Sequence, residues 1–197
     1  MTEHQRIIFN GNGYSDEWVV EAEKRGLPNI KSMIEAASTL TSEKAVALFE
    51  KFGIYTKAEL ESREEIIYET YAKTINIEAL TMIDMAGKQI IPAVVKYTKT
   101  LADTANAIKA AGGDASVQTE LLADVSTKLA AMQKELNKLV ADEKAASAMQ
   151  DVKAQAFFYK DTIKATMDEL RKPADELEMI VDKDVWPIPT YGELMFE

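Results

Sequence analysis

The sequence predicts a mainly α-helical protein. Helix breakers are scarce, with 8 Gly and 5 Pro in 197 residues. Good helix formers (Ala, Glu, Lys, Leu and Met) are abundant. Apolar residues recur three and four apart over long stretches, the spacing of one helix face. The expected architecture is an antiparallel long-helix bundle with a small mixed N-terminal segment and an extended C-terminal tail. The expected domains are residues 1–55, 56–181 and 182–197.

The N-terminal segment opens on Arg6–Phe9, whose apolar run Ile7-Ile8-Phe9 reads as a short strand. Asn10-Gly11-Asn12-Gly13 reads as a turn. Ser15 is placed as an N-cap, with Asp16 and Glu17 near the positive helix end. Trp18, Val19 and Ala22 form one apolar face, and the helix stops at Gly26 before Pro28. A second short helix is expected after Asn29, since Ile30, Met33, Ile34 and Ala37 share a face. A third runs from about Ser42 to Phe52, with Gly53 suited to a left-handed C′ position. The strand has no partner strand in the chain, and a lone strand leaves backbone groups unpaired. Residues 1–55 are therefore expected to be the end of something larger.

Thr56-Lys57-Ala58-Glu59 fits a capping box and opens the bundle. A seam of Leu80, Ile83, Gly87, Ile90, Val94, Tyr97, Leu101, Thr104 and Ile108 follows. Pro92 lacks an N–H and Gly87 weakens the same turn, so a kink or break is expected between Asn76 and Pro92. Gly112-Gly113-Asp114 reads as a stop and a new cap. Leu122, Val125, Leu129, Met132, Leu136 and Leu139 make a coiled-coil-like seam, with Leu129 buried and Lys128 exposed. Ser147-Ala148-Met149-Gln150 reads as a second capping box, which places a reversal near Ala141–Ala146. The last helix puts Val152, Ala156, Tyr159, Ile163, Met167 and Leu170 on one face, with Pro173 near its end. Short connections make three or four helices antiparallel neighbours.

A net charge of −10 argues against nucleic acid and anionic membrane surfaces, which attract basic faces. There is no Cys, which removes disulfides and thiolate chemistry. No apolar run reaches the ~20 residues of a membrane span. His4 is the sole histidine. That excludes a Ser-His-Asp triad, a His-rich zinc site and the paired Glu-x-x-His plan of di-iron bundles. The Asn10–Gly13 turn lacks a phosphate-binding glycine pattern, and the acidic helix start would repel an anion. Glu61, Glu64, Glu65, Glu69 and Asp84 read mostly as solvated helix surface, with Asp84 the one set among apolar neighbours. Phe157, Phe158 and Tyr159 point about 100° apart on a helix, so they read as packing, not a base-stacking platform. Met149, Met167 and Met179 read as adaptable packing. In the tail, Trp186, Tyr191 and Phe196 with several aliphatics have no periodicity of their own. They are expected to dock rather than stay in water, on this chain, on a missing catalytic domain or on another subunit, with a groove between bundle helices the favoured place.

Residues 6–30, RIIFNGNGYSDEWVVEAEKRGLPNI, closely resemble the C-terminal part of type III glutamine synthetases. IEAL at 77–80, DEKAASAMQDVKAQAFFYKD at 142–161 and VWPIPTYGELMF at 185–196 extend the resemblance over nearly the whole chain. It implies a parent enzyme that joins ammonia to glutamate using ATP and a divalent metal, Mg or Mn. The implied setting is the cytoplasm, with the rest of the synthetase chain and neighbouring subunits as partners. In that family the carboxylates, nucleotide site and glutamate-binding arginines lie upstream. No residue here is therefore assigned a catalytic, cofactor-binding or metal role. The implied ring assembly is not carried over, because the ring-forming domains are absent. The chain is expected to be an excised C-terminal piece, non-catalytic and structural or regulatory, with Met1 an introduced start. The alternative is a stand-alone helical scaffold or protein-interaction bundle. The lone strand at Arg6–Phe9 favours the piece.

Overall fold

The computed structural model describes residues 8–189 and 191–196. It is mainly α, with no strand among the described residues. Arg6 and Ile7 of the expected strand lie outside the described residues, and Ile8 and Phe9 are not in a strand. The chain divides into two compact units, Met1–Ile67 and Tyr68–Glu197.

The first unit carries α1 (Asp16–Lys24), α2 (Met33–Ala37), α3 (Glu43–Lys51) and the start of α4 (Lys57–Met85). Ser15 occupies the N-cap position of α1, but its hydroxyl donates to the Asn12 carbonyl at 2.9 Å and caps nothing. Ser32 and Ser42 do cap, accepting from the Glu35 and Ala45 amides. Gly53 has φ +61°, and the Ile54 and Gly53 amides donate back to Phe49 and Glu50. This left-handed stop needs a residue without a Cβ. At Thr56 the box closes both ways: the Thr56 amide donates to Glu59 Oε2 at 2.8 Å, and the Glu59 amide to Thr56 Oγ1 at 3.3 Å.

The second unit is the bundle. α4 runs into a π-helical turn at Ala86–Ile90 and on into α5 (Ile91–Ala110). The helix therefore continues through the expected kink site. The Ile91 amide donates to the Ala86 carbonyl, five residues back. The extra residue in that turn accommodates Pro92, which would otherwise meet the carbonyl four residues earlier. The same insertion turns the upstream face by about 100°. Ala72, Ile75, Ala79 and Ala86 are thus buried, whereas Leu80 of the expected seam is exposed. Downstream, Ile90, Val94 and Leu101 are buried as the spacing predicts, and Thr104 yields its place to Ala105.

Gly112 (φ +80°) ends α5, and Asp114 Oδ1 accepts from the Ser116 amide at 2.9 Å to start α6 (Ser116–Ser147). The reversal that follows comes at 148–151, later than the expected 141–146. Ser147 is no N-cap: it is the last residue of α6, and its hydroxyl donates to Glu143 Oε1 at 2.6 Å. Asp151 caps instead, accepting from the Ala154 amide at 2.7 Å. α7 (Val152–Phe158), a second π turn (Tyr159–Ile163) and α8 (Lys164–Glu178) form the third long stretch. Pro173 lies inside α8, which runs on for five residues to Glu178. Its ring and the following Leu177 are both buried, and that burial offsets the lost backbone bond.

α6 packs against both α5 and α8. Its pairing with α8 is antiparallel: Asp142 meets Thr166 and Lys128 meets Glu176, one number rising as the other falls. Val125, Met132, Leu136 and Leu139 of α6 enter the core with Tyr159, Ile163, Met167, Leu170 and Leu177. Leu129 is only partly buried, at the core edge.

The tail departs from an extended run. Asp182 accepts from the Val185 and Trp186 amides through its carbonyl, and from the Asp184 amide through Oδ1. This turn swings Trp186 back into the core, where it is 8% exposed. A short helix, α9 (Tyr191–Phe196), ends the described chain.

Candidate functional site

The second unit holds an apolar groove of about 640 Å³. Met82 and Met85 of α4 form one wall, Met167 and Ala174 of α8 the other, and Met132 of α6 the floor. Trp186, Ile188, Pro189 and Leu194 of the tail close one side. The site exists because three helices present their apolar faces to one axis and the Asp182 turn folds the tail over it. Its surface is mainly apolar, which matches the pattern of a packing or ligand groove. Two of the charged rim residues, Arg171 and Asp175, pair with each other. Arg171 Nε donates to Asp175 Oδ2 at 3.0 Å. Among the described residues, the buried Trp186 Nε1 has no hydrogen-bond partner.

The carboxylates singled out in the sequence are scattered. Glu61 pairs with Lys57 at 3.6 Å, Glu69 with Lys73 at 2.7 Å, and the exposed Asp84 with Lys88. Glu65 is exposed. Glu64 departs from the expected solvated surface: it is buried in the first unit and accepts from Thr41 Oγ1 at 2.8 Å. His4 lies outside the described residues. Among the described residues, no group of three or more His, Cys, Asp or Glu is placed to hold a metal ion. No helix of the described residues is long and apolar enough to cross a membrane.

The Asn10–Gly13 turn satisfies itself: Asn12 Oδ1 accepts from the Tyr14 amide at 3.1 Å, and the Asn12 carbonyl from Ser15. Phe9 stacks obliquely on Trp18, with ring centres 4.5 Å apart. Phe157 faces Tyr68 across 6.2 Å, while Tyr159 enters the core, where burial pushes its phenol up. Met167 is buried, but Met179 is 84% exposed and packs on nothing inside.

Two features escaped sequence reasoning. Thr166, buried on α8, donates through Oγ1 to Asp142 Oδ2 at 2.8 Å and ties two helices together. Lys128, expected to be exposed, is half-buried between Asp124 and Glu176. Its hydrogen bond to Asp124 and the charges of both acids hold its ammonium pKa above the usual value. The Asp124–Lys128 spacing of four was a readable signal. Glu176, forty-eight positions away, was not.

The fold and this groove define a helical bundle domain with an apolar groove. Comparison with known proteins identifies which one. The family model described as glutamine synthetase C-terminal domain matches residues 1–109, and the chain belongs to that family. It is 42% identical over 195 residues to a glutamine synthetase of Butyrivibrio fibrisolvens, covering 98% of this chain and 28% of that protein. It is 34% identical to the type-3 glutamine synthetase of Dictyostelium discoideum over all of this chain and 28% of that protein. It is 31% identical to a glutamine synthetase of Bacteroides fragilis over 96% of this chain and 27% of that protein. The chain thus spans under a third of the length of the relatives it matches.

Proposed function

We propose that this chain is the non-catalytic helical end of a cytoplasmic type III glutamine synthetase. In this reading residues 1–55 complete the catalytic domain, residues 56–181 form the bundle, and residues 182–197 are a tail locked onto it. The parent polypeptide joins ammonia to glutamate with ATP and Mg or Mn. Neighbouring subunits of the parent assembly are the further partners of the bundle. One observation carries the reading: similarity runs over 96–100% of this chain yet only 27–28% of each relative. The described residues present no fitting set of ligands for the metal, so no catalytic step is assigned to them. Their role is structural or regulatory, and the helical bundle is what they contribute.

Glutamate- and ammonia-dependent ATP hydrolysis tests this. The expected result is activity in the full-length polypeptide and none in the isolated chain. Glutamine formation by the isolated chain would overturn the non-catalytic assignment. A full-length polypeptide unable to make glutamine would overturn the parentage.

A further inference from the structure

The segment from Ile8 to Ile54 has an inverted balance of apolar surface. Among its residues only Ala22, Ile34 and Ala37 are buried. Val20, Met33, Leu48, Phe52 and Ile54 are each more than half exposed. The disposition on α3 shows the cause. Ala45, Val46 and Phe49 form a half-buried inner face, with Phe49 against Tyr55 at 5.6 Å. Leu48 and Phe52, four apart, make a second apolar stripe on another face, 53% and 63% exposed, and Ile54 follows at 56%. A helix with two apolar faces is the pattern of an element covered on both sides. Single exposed apolar side chains are ordinary, but a helix face of them marks an interface. Obligate interfaces resemble a core cut in half, and this segment has that composition.

We infer that the Leu48–Phe52–Ile54 face is an interface with the remainder of the chain's own synthetase polypeptide. The inference rests on the proposed parentage and names the surface through which it is realised. The family is a C-terminal one, and some seven-tenths of each relative lies outside the matched region. That polypeptide is the occupant with the length to cover the face and a covalent tether that gives it a high effective concentration. A second copy is the poorer fit, since it would bring together two chains of charge −10.

The chain has no cysteine, so a single introduced thiol reports cleanly. Leu48→Cys is compared in the isolated chain and in the full-length polypeptide that contains it. The read-out is maleimide labelling of the residue-48 peptide by mass spectrometry. Val117→Cys, exposed on the bundle, serves as a second site. The expected result is fast labelling at 48 in the isolated chain. In the full-length protein it should be on the order of tenfold slower, because reaction then waits for local opening. Phe52→Cys should behave in the same way. Equal labelling at 48 in both proteins overturns the inference. So does protection in the isolated chain together with a doubled mass in light scattering, since the occupant is then a second copy. A full-length polypeptide that makes glutamine but labels freely at 48 rejects the surface and keeps the function. One that is protected at 48 but makes no glutamine rejects the function and keeps the surface.

Discussion

Trp186 tests how the tail is held. Its indole is buried in the core of the second unit, beside the partly buried Val185 and Ile188. A tryptophan buries about 150–250 Å². At about 25 cal/mol per Å², removal from water contributes about 4–6 kcal/mol. A compact unfolded chain already buries part of that area, which lowers the figure by roughly 10–40%. Against it stands the Nε1–H, buried without a partner among the described residues. An orphaned donor costs about 1–3 kcal/mol, and truncation relieves that cost. The net expectation for Trp186→Ala is a loss of about 2–4 kcal/mol, or roughly 4–16 °C in Tm for a chain of this size. Trp186→Phe keeps most of the ring and removes the orphan donor, so it should stay within about 1 kcal/mol of wild type. The assay is urea unfolding followed by far-ultraviolet circular dichroism. An Ala variant with the wild-type midpoint would refute the docking argument. A Phe variant as weak as the Ala variant would refute the orphan-donor argument, because the indole N–H would then be bonded.

Other perturbations separate the remaining claims. Met132→Ala, at a fully buried site in α6, should cost about 2–5 kcal/mol in a urea midpoint, whereas Leu129→Ala at the core edge should cost less. In the π turn, a Cβ on Gly87 would meet Leu136 Cδ2 at an ordinary 3.6 Å, so Gly87→Ala should raise stability by about 0.4–1 kcal/mol in the same titration. Thr166→Val should cost about 1 kcal/mol through the lost bond to Asp142, and little of that should appear once Asp142 is also replaced by Ala, which has no acceptor. The Thr56 amide and hydroxyl hold the Glu59 carboxyl below its usual range. A lowered folded-state pKa favours the fold above the ordinary glutamate range and is lost as pH falls through the lowered value. Acid titration of stability should therefore show a shallower acid limb in Glu59→Gln, and an unchanged limb would mean the box does not hold in solution.

Local chemistry was legible wherever a side chain answers to its own neighbours. The Thr56–Glu59 box, the stops at Gly53 and Gly112, and the face from Ala156 to Leu170 depend on residues within a turn or two. So did the mainly α class and the burial of Trp186, an apolar group with no local solution. The family resemblance came from whole segments and is matched by the comparisons. Three kinds of feature were decided only by the tertiary structure. The π turn at Ala86–Ile90 replaced Leu80 by Ala79 on the buried face, because one inserted residue turns the helix and only packing selects where it is inserted. Asp151 took the cap from Ser147 because α6 runs on through Ser147 and α7 begins only at Val152. Lys128 lost part of its exposure because Glu176 arrived from α8, and Thr166 found Asp142 by the same antiparallel register. A sequence period specifies which residues share a face. What lies opposite that face is specified by how the helices pack, and these pairings follow from that.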